Sequence, residues 1–199
     1  MQRGAVKLKS GPVQAGFEFL RPAPPRAKKA ERLFFAAMPD EAHALKLSRF
    51  AERFLAEEEM DGTPIKPTRL HIALQRLGEP TDAMLYAAKL VGQSVAAAGL
   101  SLRFDVLSSL GRTKRVLALT SSDPKLAALH EKLAEAVQKH GLRADEGVPH
   151  IALATGVGQI PLTAIEPYGM SITGLALLRG DPLGEFQILR RWPLNRSCL

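Results

Sequence analysis

A five-residue string of strand-forming character occurs almost twice in this chain, and it constrains the fold more than any other feature. Leu70-His71-Ile72-Ala73-Leu74 is matched by Pro149-His150-Ile151-Ala152-Leu153. Side chains alternate between the two faces of a strand. His71 and Ala73 therefore share one face, and Ile72 and Leu74 the other. His150 and Ala152 stand against Ile151 and Leu153 in the same way. Each strand can seat an apolar face in a core and present one imidazole, with a small neighbour, on the opposite side. A lone strand histidine is more often a hydrogen-bonded structural residue than a catalyst. Two matched copies facing each other put two imidazoles across one cleft.

What precedes each string also repeats. Leu33–Met38 is a near-continuous apolar strand closed by Pro39, and Asp40 can cap a helix over about 41–58. Ala42, Leu45, Leu47, Phe50, Phe54 and Leu55 supply its approximate apolar stripe. The second copy opens with Val116–Thr120, and Asp123-Pro124 has the cap and first-turn proline of a helix running to about His140. Leu126, Leu129, Leu133 and Val137 line one side of that helix. Leu33 precedes His71 by 38 positions and Val116 precedes His150 by 34, which supports an internal duplication. Between the repeats, a helix over about 82–98 and a strand over 100–110 are expected. After them, Pro161, Pro167 and Gly169 leave room only for a short helical turn. Strands over about 170–179 and 185–191 then follow, joined by a turn at 180–184.

The implied class is α+β: two pseudo-symmetric lobes whose antiparallel sheets face a central cleft, with helices outside. A single parallel sheet of βαβ units is the alternative, and the terminal hairpin argues against it. At 199 residues the chain suits one domain over 31–199, preceded by an extension over 1–30. No apolar run is long enough for a membrane span and no signal-peptide core is present, so a cytoplasmic protein is expected. The single cysteine, Cys198, excludes an internal disulfide framework and a cysteine-based zinc site.

The net charge of +7 is concentrated at one end. Residues 1–30 hold seven Lys/Arg against Glu18, or +6, while the body holds 20 basic and 19 acidic residues, or +1. The excess belongs to the proline-containing extension and says little about the cleft. That extension reads as a mobile tail, or as a basic arm adding salt-sensitive affinity for RNA phosphates.

The paired histidine strands resemble the two-histidine phosphoesterases, whose signature is a His-x-Thr/Ser-x motif in each of two pseudo-symmetric lobes. The closest branch is the 2′-5′ RNA ligase family, also described as RNA 2′,3′-cyclic phosphodiesterases. Its first lobe opens with a strand like Arg32-Leu33-Phe34-Phe35-Ala36, and its motif ends near a Leu-Gly such as Leu77-Gly78. The likeness spans roughly Glu31 to Leu194. It departs at one place that matters chemically, because both motif threonines are alanine here, Ala73 and Ala152.

The resemblance implies a metal-independent, cofactor-free phosphodiesterase that opens 2′,3′-cyclic phosphates on RNA ends or small cyclic nucleotides, with ATP-independent 2′-5′ joining as the same chemistry reversed. A monomer is expected. Imidazole suits both proton transfers because its ordinary pKa lies near 6.5. In the family, His71 would be the donor and His150 the acceptor; the residues alone leave the roles open. The motif hydroxyl that binds phosphoryl oxygens is missing at Ala73 and Ala152. Arg69 and Gln75 share the cleft face with His71 if the strand carries no bulge, so compensation is expected from the first lobe. Thr68 and Thr155 fall on the wrong parity and read as loop residues. His43, His130 and His140 sit on helices and read as exposed. No HExxH and no metal-ligand spacing accompany the histidines, and no glycine-rich phosphate loop precedes a helix. Two other classes stay open: a phosphate-binding module that has lost turnover with its hydroxyls, and a structural RNA-associated protein acting through the basic arm.

Overall fold

The computed structural model describes residues 31–95, 99–113, 115–181 and 184–194. The basic extension and Cys198 lie outside the described residues. Three helices begin where the sequence sets an oxygen-bearing cap: Asp40 before α1 (Glu41–Glu57), Thr81 before α2 (Asp82–Ser94) and Asp123 before α3 (Pro124–Lys139). Each cap side chain accepts a hydrogen bond from a backbone N–H of the first turn that has no partner within the helix. The strands are β1 (Arg32–Ala37), β2 (Thr63–Pro64), β3 (Ile72–Gly78), β4 (Leu100–Leu110), β5 (Val116–Thr120), β6 (His150–Thr155), β7 (Thr163–Ile172), β8 (Gly174–Gly180) and β9 (Phe186–Pro193).

Among the described residues these strands form one sheet in the order β7-β4-β5-β6-β3-β1-β8-β9, with β2 added against β6. Every pairing is antiparallel, which removes the βαβ alternative. The two lobes are its two halves. β3 and β6 join them through two residue pairs, Ile72 with Ile151 and Ala73 with His150, and β2 adds Thr63 with Thr155 and Pro64 with Ala154. Each half borrows strands from the other repeat: β4 follows the first repeat yet pairs with β5, while β8 and β9 follow the second yet flank β1.

The main core lies on the helix side. Ala44, Leu47, Ala51 and Leu55 of α1 and Leu126, Leu129, Leu133 and Val137 of α3 pack with Leu33, Phe35, Ile72, Leu74, Ile151 and Leu153. The buried stripe of α1 is thus rotated from the expected one. Ala42 is exposed and Leu45 is 43% exposed, because spacing by three and four through Ala44, Leu47 and Ala51 defines the inner face. A smaller cluster, Phe34, Ala36, Ala176 and Leu178, fills the opposite face of the first half-sheet.

One expected element is different. The segment with Pro161, Pro167 and Gly169 holds no helical turn. Residues 163–172 form strand β7, and Thr173 separates it from β8, so the strand expected over 170–179 is divided between the two. Pro167 is tolerated because β7 is an edge strand, where a missing N–H costs no central ladder bond.

Candidate active site

Both histidine strands carry a β-bulge, and at the same step. In β3, Ala73 pairs with Ala36 of β1 but Gln75 pairs with Phe35. In β6, Ala152 pairs with Ala118 of β5 but Ala154 pairs with Leu117. One extra residue in each strand reverses the parity beyond the alanine. Gln75 is thereby carried to the helix side and fully buried, and so is Ala154. The next residue returns to the cleft: Arg76 opposite Phe34, and Thr155 opposite Val116. A single cavity of about 1410 Å³ is lined by His71, Ala73 and Arg76 from one lobe and by His150, Ala152 and Thr155 from the other.

The two imidazoles are held alike. Nδ1 of His71 lies 2.8 Å from the carbonyl oxygen of Arg69, and Nδ1 of His150 lies 2.7 Å from that of Val148. A carbonyl only accepts, so each Nδ1 carries a proton and each neutral ring keeps its lone pair on Nε2. Burial pushes the pKa of His71 below its ordinary value; the Arg69 carbonyl opposes this, and the charge of His150 adds to it. Burial likewise lowers the pKa of His150, against the Val148 carbonyl, with Arg76 lowering it and Asp145 raising it. His71 is the deeper of the two, at 5% exposure, packed against Phe34 and edge-on to Phe186.

Arg76 is a cation of the cleft held by an acidic partner. Asp145 accepts from its Nε at 2.6 Å and from its Nη2 at 3.1 Å. This pairing raises the Arg76 pKa further. Burial pushes the Asp145 carboxyl up, but the Arg76 hydrogen bonds and charge outweigh it and hold it below its usual value. A guanidinium has five N–H donors, so the edge built from Nη1 and the second Nη2 hydrogen is left for an anion. Arg32, Arg115 and Arg143 also line the cavity, along with Glu146 and Asp181. The cleft thus has basic side chains of its own.

Gln75 does not face the cleft, because the bulge turns it away. Arg69 is 17% exposed and occupied elsewhere: it donates to the Gly184 carbonyl at 2.8 Å, pairs with Glu185, and lies over the Phe186 ring. It secures the β8–β9 turn beside His71. Thr155 is a cleft residue of β6, not a loop residue, while Thr68 is exposed in a 3-10 turn. His43, His130 and His140 are half-buried, each hydrogen-bonded, to Asp40, Gln75 and the Ala136 carbonyl respectively. Alternation alone hides Arg76 and Thr155. The signal that finds them is the repeat itself, since each motif carries a polar residue five positions after its histidine.

Among the described residues no three His, Cys, Asp or Glu side chains cluster as a metal site, and no helix is long and apolar enough to cross a membrane.

The sequence model of the 2′-5′ RNA ligase superfamily matches residues 39–181, which include both histidine strands. The chain belongs to that superfamily. Its fold is shared with TT0787 of Thermus thermophilus, at a TM-score of 0.65 and 20% identity over 83% of this chain and 99% of that one. E. coli LigT in its apo form superposes with a TM-score of 0.62 at 23% identity, over 83% of this chain and 98% of LigT. LigT complexed with 3′-AMP gives 0.63 at 22% identity, over 84% and 100%. No curated protein matches the chain.

Proposed function

We propose that the cleft opens 2′,3′-cyclic phosphates, on RNA ends or on small cyclic nucleotides inside the cell, by metal-independent acid–base catalysis. The observation that carries this reading is the matched tethering of His71 and His150 in one cavity, each with Nε2 as its free nitrogen. Water attacks phosphorus as His150 takes its proton, while His71 protonates the departing sugar oxygen. One P–O bond forms, one breaks, and the pair of rings exchanges one proton each way. The tethers are equivalent, so the donor role of His71 rests on the family resemblance.

The environment supports the proton accounting. Burial favours neutral rings. An anionic phosphate between them raises the affinity of one ring for a proton, which arms the acid only when substrate is present. Arg76 supplies the positive charge that the phosphoryl oxygens require. In LigT a complex with 3′-AMP exists. By extension, a nucleotide phosphate is the group this cleft would hold.

The test is hydrolysis of 2′,3′-cyclic AMP in EDTA by wild type, His71→Ala and His150→Ala. Turnover that survives the chelator and falls by roughly 10²–10⁴ in either variant is expected. Activity lost in EDTA and restored by a metal would sink the mechanism. Ala73 and Ala152 favour a second reading, a cleft that binds phosphate without turning it over. Phosphate affinity with no hydrolysis by wild type would select it.

A further inference from the structure

We infer that Gln75 and His130, on the helix side of the sheet, are positioning residues that hold Arg76 in the cleft. The inference rests on reading the cleft as a phosphate site. It starts from the orientation of one buried amide. Gln75 is fully buried; its Oε1 accepts from the Asp145 N–H at 2.7 Å and its Nε2 donates to the Asp145 carbonyl at 3.1 Å. Exchanging O and N would set donor against donor and acceptor against acceptor, so the amide has one possible orientation. Its second Nε2 hydrogen then points at Nε2 of His130, 2.8 Å away on α3. His130 must accept there, with its proton on Nδ1.

The consequence reaches the other face of the sheet. Residues 142–146, which carry Asp145, form neither helix nor strand. Gln75 gives this segment the paired hydrogen bonds that a neighbouring strand would otherwise supply. Asp145 is fixed at both its N–H and its carbonyl, and its carboxylate grips Arg76 in the bidentate pair already described. Its Oδ1 also accepts from the Gly147 N–H at 3.2 Å. The seat is close-fitting, because a Cβ on Gly147 would lie 2.8 Å from Nη2 of Arg76. The Arg76 side chain is 57% exposed, so without this hold it would sample many rotamers and present its free edge to a phosphate only part of the time. Three side chains in succession thus connect α3 to the cleft floor.

The experiment compares wild type, Gln75→Met, His130→Leu and His130→Gln. It measures the Kd of inorganic phosphate by calorimetry, the exchange of the Arg76 Nε–H by NMR (assigned by its loss in Arg76→Lys), and KM and kcat for 2′,3′-cyclic AMP. The phosphate Kd should rise about tenfold in Gln75→Met and about threefold in His130→Leu, with faster Nε–H exchange in both. KM should rise in step and kcat should fall with it, because Arg76 holds the phosphoryl oxygens in the ground state and in the transition state. His130→Gln, which restores an acceptor oxygen, should recover the wild-type Kd. Leu129→Ala, which loses core packing on the same helix, should lower stability without moving Kd or exchange. If His130→Leu fails to fold, His130→Ala removes the same acceptor without added bulk and is read identically. Folded Gln75→Met with unchanged Kd and exchange overturns the inference, as does a wild type that binds no phosphate. A wild type that binds phosphate but hydrolyses nothing removes the phosphodiesterase reading alone, and the Kd comparison still decides this one.

Discussion

Arg76 and Thr155 occupy equivalent places in the two repeats, each five residues past its histidine and each returned to the cleft by a bulge at the same step. The equivalence is geometric and not chemical. One lobe presents a guanidinium where the other presents a hydroxyl. At this pair of positions the charged donor comes from the first lobe, and Arg76 acts on His150, whose pKa it lowers.

Arg76→Leu should weaken phosphate binding by roughly 10- to 150-fold, since a hydrogen bond to a charged group is worth about 1.5–3 kcal/mol. It should also destabilise the fold, because Asp145 is only 20% exposed and would lose its cation. Adding Asp145→Asn should restore stability without restoring affinity. Calorimetric titration and thermal melts of the single and double variants check both halves. A single variant with wild-type phosphate affinity would remove Arg76 from the site.

The overall pattern was legible because it depends on periodicity and caps. Apolar strands, the Asp40 and Asp123 caps and the recurrence of strand, helix and histidine strand all read directly from residue order. The bulges did not. A bulge leaves no residue signature when the inserted position is an ordinary Leu, Gln or Ala, as at Leu74, Gln75, Leu153 and Ala154. Counting parity straight through therefore put Gln75 in the cleft and Thr155 out of it. Arg69 was misplaced for a different reason: its partners, Gly184, Glu185 and Phe186, lie on a turn more than a hundred residues away. Edge-strand topology, which legitimises Pro167 in β7, is likewise a property of the assembled sheet.

Gly92→Ala should destabilise the protein, although the same change in most helix interiors stabilises by about 1 kcal/mol. A Cβ on Gly92 would lie 2.5 Å from the Trp192 ring, which packs α2 against β9. Overpacking of this kind typically costs about 1–3 kcal/mol. A raised midpoint in urea would show that the indole moves aside freely.

Stability should fall as pH drops below about 6.5, because His71 and His150 have lowered pKa values in the fold. The unfolded chain then binds more protons than the native one, so the loss begins at the unfolded pKa and is complete below the folded values. Saturating phosphate should shrink the loss by raising the folded values. Melting temperatures at pH 7.5 and 5.5, with and without phosphate, provide the measurement, and a His71→Gln/His150→Gln variant should show a smaller drop. An equal drop in that variant would place the acid sensitivity elsewhere.

Ala73→Thr and Ala152→Thr should each raise turnover of a 2′,3′-cyclic nucleotide. Ala73 is paired with His150 across the junction of the two lobes, and the same register continued by one residue sets His71 opposite Ala152. Each alanine therefore adjoins the other lobe's histidine on the cleft face, where directly opposed Cβ atoms lie about 4.5–5.5 Å apart. A hydroxyl at either place would meet the phosphate held between the rings. Threonine suits a strand, so the backbone should accept it at little cost. Ala152→Thr should help more, because the position five residues past the histidine carries a guanidinium, Arg76, in the first lobe and only a hydroxyl, Thr155, in the second. A gained hydrogen bond to a charged oxygen of about 1.5 kcal/mol corresponds to roughly tenfold in kcat. Steady-state kinetics of the two variants, alone and with Thr155→Val, decide the matter. If both fold and neither gains, Arg76 and Thr155 already supply the donors that a threonine at either position would add. In that case Thr155→Val should lower kcat in the parent chain by a similar factor, and no change there would remove Thr155 from the donor set.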